Sequence, residues 1–205
     1  MTHARPRTAT PHPTSSRPGR RVSCRGTLGV LGGILLGLPG ALHAQSIGEA
    51  TPGPVIQDFG AVFEVQGLEV PVDTDRDYRI VFDVSQSPTG SEGVNPYLNS
   101  VARFLNMHAR AGVPRARMEL AVVLHGSAGK DALQPGPYRE RLGAENPNVE
   151  LIRQLAAAGV EFYICGQTAM SRGLPNDDLL PEIQMALSAM TARAMLQARG
   201  YEVVN

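Results

Sequence analysis

Residues 118–126 read MELAVVLHG, apolar at every position from Leu120 to Leu124 and closed by a histidine and a glycine. Side chains of a strand point alternately to opposite faces, so a strand with one wet face would show polar residues at every second position. This run shows none, and therefore reads as a strand covered on both sides, as in a parallel sheet between helical layers. Two similar runs flank it: YRIVFDV at 78–84 and VEFYICG at 160–166. Between them the apolar period changes to that of a helix. Asn95 and Pro96 supply a cap and a rigid first turn, Leu98, Val101, Leu105 and His108 follow at helical spacing, and Gly112 ends the element. Asn148 is placed to cap a second helix with Val149, Ile152, Leu155 and Ala156 on one face and Gly159 at its end. Asp177, Asp178 and Pro181 are expected to open a long helix striped by Leu180, Ile183, Leu187, Met190 and Ala194 and stopped by Gly200, before a last short strand over Tyr201 to Val204. Residues 126–147, with Pro135, Gly136 and Pro137, read as a long polar connection. Strands that alternate with helices form βαβ units, so the expected architecture is α/β: a three-layer α/β/α sandwich around a mainly parallel sheet.

Outward from this core the composition divides the chain. Of its 205 residues, 19 are basic and 19 acidic, yet residues 1–44 hold six arginines (Arg5, Arg7, Arg17, Arg20, Arg21, Arg25) and no acid. The remaining 161 residues therefore carry 13 basic and 19 acidic groups, a net −6. Behind the arginines, TLGVLGGILLGLPGAL (27–42) is a short apolar stretch ending in Leu42-His43-Ala44. A basic region, a short apolar core and a small residue match a cleavable export signal, and sixteen residues rich in glycine are short for a membrane span of about 20. The alternative is an anchor that stays attached, the only membrane association expected. Arg20-Arg21 resembles a twin-arginine signal, whereas Val22-Ser23-Cys24 fits that pattern poorly, so both export routes stay open. The expected organisation is an export signal over 1–44, a linker and extended arm over 45–77, and an α/β domain over 78–205, located in the periplasm or outside the cell. Within the arm, AVFEVQ (61–66) and LEVPV (68–72) either pair as a hairpin or reach a neighbouring subunit. An acidic mature domain without tryptophan excludes broad nucleic-acid binding, which requires basic surface and gains from stacking aromatics.

Ligands of open parallel sheets bind beyond the carboxyl ends of the strands. Three strand ends are visible here: Asp83 with the loop Ser85 to Gly93, His125-Gly126-Ser127, and Cys165-Gly166-Gln167. Once a signal is removed, Cys165 is the sole cysteine and His125 one of two histidines. A thiol before a helix start meets unpaired amides and the positive end of the dipole, which favour thiolate. Arg172-Gly173, up to two turns further, adds a cation suited to an anionic substrate. The structural alternatives are a small buried residue for Cys165, a carbonyl-bonded ring for His125 and a core or interface position for His108. No metal-ligand spacing, no G-x-S-x-G turn and no dinucleotide glycine fingerprint is present, so neither a metal nor a cofactor is expected.

The segments YRIVFDVSQ, NPYLNSVARFLN, AVVLHGSA, NPNVELIRQLAAAGVEFYICGQ and LLPEIQMALSAMTARAMLQARGY together resemble the DsrE/DsrF-like sulfur-relay family, in its exported single-domain form. The resemblance implies a flavodoxin-like sandwich that assembles into homo-oligomers and a strand-end cysteine, here Cys165, that carries sulfur as a persulfide. It also implies a partner that is a small sulfur compound or a sulfur-carrying protein. On this reading His125 and Gln167 orient the sulfur and Arg172 attracts the donor. Classical relay proteins are cytoplasmic, from which the export signal departs. Two other classes remain: a non-catalytic oligomeric module binding a small ligand or partner at the same cleft, and an oxidoreductase with a nucleotide or flavin at the Ser85–Gly93 loop.

Overall fold

Strand β1 (Tyr78–Val84) runs parallel to β2 (Met118–Leu124), in step from Tyr78↔Met118 to Val84↔Leu124. On the far side of β2 lies β3 (Glu161–Cys165), paired from Ala121↔Glu161 to Leu124↔Ile164. Edge strands β4 (Ile183–Ala186) and β5 (Glu202–Val204) complete an all-parallel sheet in the order β4-β3-β2-β1-β5. The structure, a computed structural model, describes residues 48–88 and 93–204. The export signal expected over 1–44 lies outside the described residues.

The strand alternation sorts the core into two layers. Ile80, Val84, Leu120, Val122, Leu124, Phe162, Ile164 and Ile183 face helices α1 (Pro96–Arg110) and α3 (Val149–Ala157), which contribute Leu98, Val101, Leu105, Leu151, Ile152 and Leu155. The opposite face presents Val81, Ala121, Val123 and Cys165 to α5 (Ala189–Ala198), which answers with Ala189, Ala192 and Leu196. Alanines on both sides of that contact let α5 approach the sheet closely. The three-layer sandwich thus holds, with two long helices on one face and one on the other.

Three local expectations are corrected. The stretch 126–147 is not an open loop. It forms a 3-10 turn at Gly126–Ala132 and helix α2 (Pro135–Leu142), closed by Gly143 at φ 71. Proline in the first helical turn loses no hydrogen bond and is preset for the helix, so Pro135 starts a helix where a polar connection was expected. The long helix expected from Asp177 is three elements: a single 3-10 turn at Asn176–Asp178, strand β4, and α5. Ser188 separates the last two, its hydroxyl accepting from the Thr191 amide at 3.0 Å. Leu187 and Met190, placed in the buried stripe, are 73 % and 72 % exposed. Pairing to the edge of β3 outweighs the weak strand propensity of Ile183-Gln184-Met185-Ala186. Finally, Asn148 occupies the N-cap position of α3 as expected, but its side chain makes no capping hydrogen bond. Its side-chain oxygen accepts from the Asn95 amide at 2.7 Å, while Asn95 itself caps α1 by accepting from Tyr97 N at 2.9 Å. His108, expected at a core or interface position, is half-buried, stacks on Phe104 and meets Tyr78 edge-on.

Residues ahead of β1 are fastened to α1. Val62 forms an antiparallel bridge with Thr51, and segments 61–66 and 68–72 make no hairpin. The buried Asn106 accepts from Val55 N (3.2 Å) and Ile56 N (2.9 Å) and donates to the carbonyls of Ile56 (2.8 Å), Phe59 (3.1 Å) and Gly60 (3.0 Å). A Cβ on Gly53 would fall 1.9 Å from the Asn106 side chain, which leaves glycine as the residue that fits. Asn106→Ala would leave buried backbone groups unpaired, each costing about 1–3 kcal/mol. The variant is expected to lose roughly 3 kcal/mol in urea unfolding, with early proteolysis between residues 51 and 62. Wild-type protection of that segment in the variant would contradict the assignment.

Candidate functional site

Cys165 ends β3, and the chain turns at once into the short helix α4 (Gly166–Ser171). The turn is tight because a Cβ on Gly166 would stand 2.6 Å from the Ala186 carbonyl at the end of β4. Cys165 is consequently 6 % exposed and packs beneath α5. Burial alone pushes its thiol pKa up, since the anion loses water. Hydrogen bonds from the Thr168 amide, the Thr168 hydroxyl and the amides of Ala189 and Gln167 more than offset this, and the pKa is lowered overall. Two of those amides belong to the first turn of α4 and one to the first turn of α5. The break at Ser188 that divides β4 from α5 is therefore also what brings a third amide to the sulfur.

Thr168 is fixed in turn by the neighbouring strand end. Its hydroxyl oxygen accepts from the Gly126 amide at 3.2 Å, which directs the hydroxyl proton toward Cys165. Gly126 has φ 55 and a would-be Cβ 2.5 Å from the Ser85 carbonyl, so a side chain there is excluded both by conformation and by space.

The register also settles where His125 lies. Leu124 pairs with Ile164, and His125 continues extended at φ −154, so it follows β2 onto the α5 face, the face that carries Cys165. Its Nε2 is 3.1 Å from Asp83 Oδ1, and the other carboxylate oxygen of Asp83 receives Arg193 of α5. The side chains of His125, Asp83 and Arg193 are 25 %, 11 % and 29 % exposed, so the three form a half-buried chain of contacts across β1, β2 and α5.

The other residues expected at the site sit further out. Gln167 is exposed and its amide donates to the Leu187 carbonyl at 3.4 Å. Arg172 is exposed at the C-terminal end of α4, roughly 9 Å of helix rise from the start of that element. In the loop after β1, residues 89–92 lie outside the described residues. The part before them is held by buried Asp131, which accepts from Ser87 Oγ at 2.8 Å and Asn95 Nδ2 at 2.6 Å. Burial pushes the Asp131 pKa up, against the hydrogen bonds from Asn95 and Ser87 and the charge of Lys130.

Sequence reasoning passed over Asp83 as a site residue, and missed Thr168 and Arg193. Thr168 had a signal: a hydroxyl three residues after a strand-to-helix turn points back at the residue before the helix. Arg193 had none, because the helix that carries it had been given the wrong start.

A family model described as DsrE/DsrF-like matches residues 79–205. No curated protein matches the chain significantly. Among solved structures, a protein of unknown function from Methanobacterium thermoautotrophicum is 20 % identical with TM-score 0.46, covering 62 % of this chain and 98 % of its own. The ychN protein of E. coli is 16 % identical with TM-score 0.46, the match covering 62 % of this chain and 99 % of that one.

The hydroxyl contribution of Thr168 is separable from the amides. Thr168→Val keeps the shape, removes the hydroxyl donor and leaves the Gly126 amide without its acceptor. The pH midpoint of Cys165 alkylation is expected to rise by roughly one unit, the size of one hydrogen bond to a charged group. An unchanged midpoint would remove Thr168 from the site.

Proposed function

The chain belongs to the DsrE/DsrF-like family, and from that premise we propose that it carries or transfers sulfane sulfur as a persulfide on Cys165. One observation carries the proposal: a strand-end thiol whose pKa is lowered by converging hydrogen-bond donors in spite of burial. The thiolate is the nucleophilic form of cysteine, so a site that stabilises it prepares it for attack on sulfur. Cys165 Sγ attacks the terminal sulfur of a donor R–S–SH, an S–S bond forms as the donor S–S bond breaks, and RS⁻ leaves to become RSH. The proton comes from the thiol itself, so no oxidant or reductant is consumed. The backbone donors that hold the thiolate also suit the persulfide anion that replaces it.

His125, on the face that carries Cys165, and Gln167, at the start of α4, orient the incoming sulfur in this proposal, and Arg172 draws anionic donors toward the edge. The donor is a small sulfur compound or a sulfur-carrying protein. The basic segment 1–44 directs the chain to the periplasm or beyond, and the mature domain works as a homo-oligomer. The 6 % exposure of Cys165 favours a second reading, in which the fold binds a ligand or partner at this edge and the cysteine is structural.

Intact-mass measurement after incubation with a sulfane-sulfur donor separates the two. Wild-type protein is expected to gain the mass of one sulfur atom, reversed by a thiol reductant, and Cys165→Ser to gain none. A wild-type mass that stays constant, or a gain that persists in Cys165→Ser, would contradict sulfur carriage on this residue.

A further inference from the structure

We propose that residues 63–70, together with the exposed end of α1, form a two-fold contact between two copies of this chain. The proposal rests on the homo-oligomeric reading above and gives it a surface. That surface lies at the edge of the sheet opposite Cys165, where the end of α1 meets Tyr78, the first residue of β1.

The stretch is held at both ends and open between them. Val62 is buried, bridges Thr51, and its carbonyl accepts from Arg110 of α1 at 2.9 Å. At the other end Val72 packs against the core. Between these anchors Phe63, Val65, Leu68 and Val70 are 51 % to 81 % exposed. Among the described residues, no backbone group of 63–72 pairs with another backbone group. A hairpin within the stretch would cover both kinds of surface, and none forms. An anchored segment that shows unpaired backbone and apolar side chains together is a template for a further chain.

The surface fits itself. Beside the segment runs a groove of about 620 Å³, lined by Phe63, Leu68 and Val72 and, at the end of α1, by Met107 and Ala111. Projecting apolar side chains and a groove to receive them thus belong to one patch, as a two-fold contact requires when each patch meets its own copy. Charge points the same way. Glu64 and Glu69 stand in the segment, while the side chain of Arg103, exposed one turn before Met107, has no ion pair or hydrogen bond among the described residues. Two copies face to face set the acids of one against the arginine of the other, which fixes their register. An anionic membrane surface would meet two acids and be repelled.

The test joins sedimentation velocity of the full chain, over a range of concentrations, to light-activated cross-linking in the expressing cell from p-benzoylphenylalanine in place of Phe63. The wild-type chain is expected to self-associate. Val65→Ser combined with Val70→Ser is expected to raise the dissociation constant on the order of tenfold or more, with an unchanged circular dichroism spectrum. Glu64→Arg with Glu69→Arg is expected to weaken the contact, and Arg103→Glu added to them to restore part of it. Cross-links are expected in a species of twice the chain mass, on residues 63–72 or 103–111 of the second copy. Cross-links to a lipid, to a different protein or to residues 1–47 of the same chain would overturn the proposal, as would a charge reversal that restores nothing. Association unchanged by the serine substitutions would overturn this interface and leave a homo-oligomer built on another surface. A chain that stays monomeric at every concentration would overturn both.

Discussion

Seven residues of β1 and seven of β2 run in step, β3 joins them from Ala121 onward through four pairs, and everything at the carboxyl edge depends on that shared register. Parallel strands in step bring residues of equal height onto the same face, one strand spacing apart, about 4.8 Å. Cys165 and His125 come to the same face at equal height this way, with Asp83 two positions lower on the next strand. A slip of one residue in β3 would turn Cys165 to the α1 face and seat Ile164 beneath α5. The apolar residues on both faces of β2 oppose such a slip, because every buried side chain of β3 would lose its place.

Around the sulfur two opposed effects meet. Burial under α5 removes water and favours the neutral thiol, whereas three amides and one hydroxyl favour the anion. The donors win because they are held by the backbone and need no reorganisation when charge appears. Their fixity comes from packing: Gly166 allows α4 to start against the end of β4, Ser188 starts α5 where its first amide meets the thiol, and Gly126 lets the β2 turn lock Thr168. The same edge is braced on its other side by buried Asp131, which ties Ser87 of the β1 loop to Asn95 at the start of α1. The surroundings of the thiol and their rigid frame are thus products of one set of loop geometries.

Much of this was legible in the sequence. The three central strands, α1 with its Asn95 cap, α3 and the final strand were evident from period alone, because each is long or strongly patterned. Cys165 and His125 were evident as strand-end residues for the same reason. Where long-range pairing overrides local pattern, the sequence misled. Ile183, Leu187 and Met190 repeat at helical spacing, yet β4 exists because β3 offers it an open edge, and Leu187 and Met190 face outward. That single misplacement hid Arg193 and the Ala189 amide, one of the four hydrogen-bond donors to Cys165. Asn148 and Asn106 show the same limit differently: their polar partners lie about 50 residues away in the chain, which no local signal reports. Pro135 misled through its reputation as a breaker, at a position where it begins a helix.

Sulfur carriage on this edge depends on the ionisation of Cys165, and the most direct measurement is its titration in the folded protein. Selective 13C labelling at the cysteine Cβ gives a chemical shift that follows thiol deprotonation without adding a reagent. The hydrogen-bond frame predicts a midpoint clearly below the ordinary thiol value of about 8.5, with the titration returning toward that value on unfolding in urea. A midpoint at or above the ordinary value in the folded protein would show that burial prevails, and would leave Cys165 an inert residue of the core.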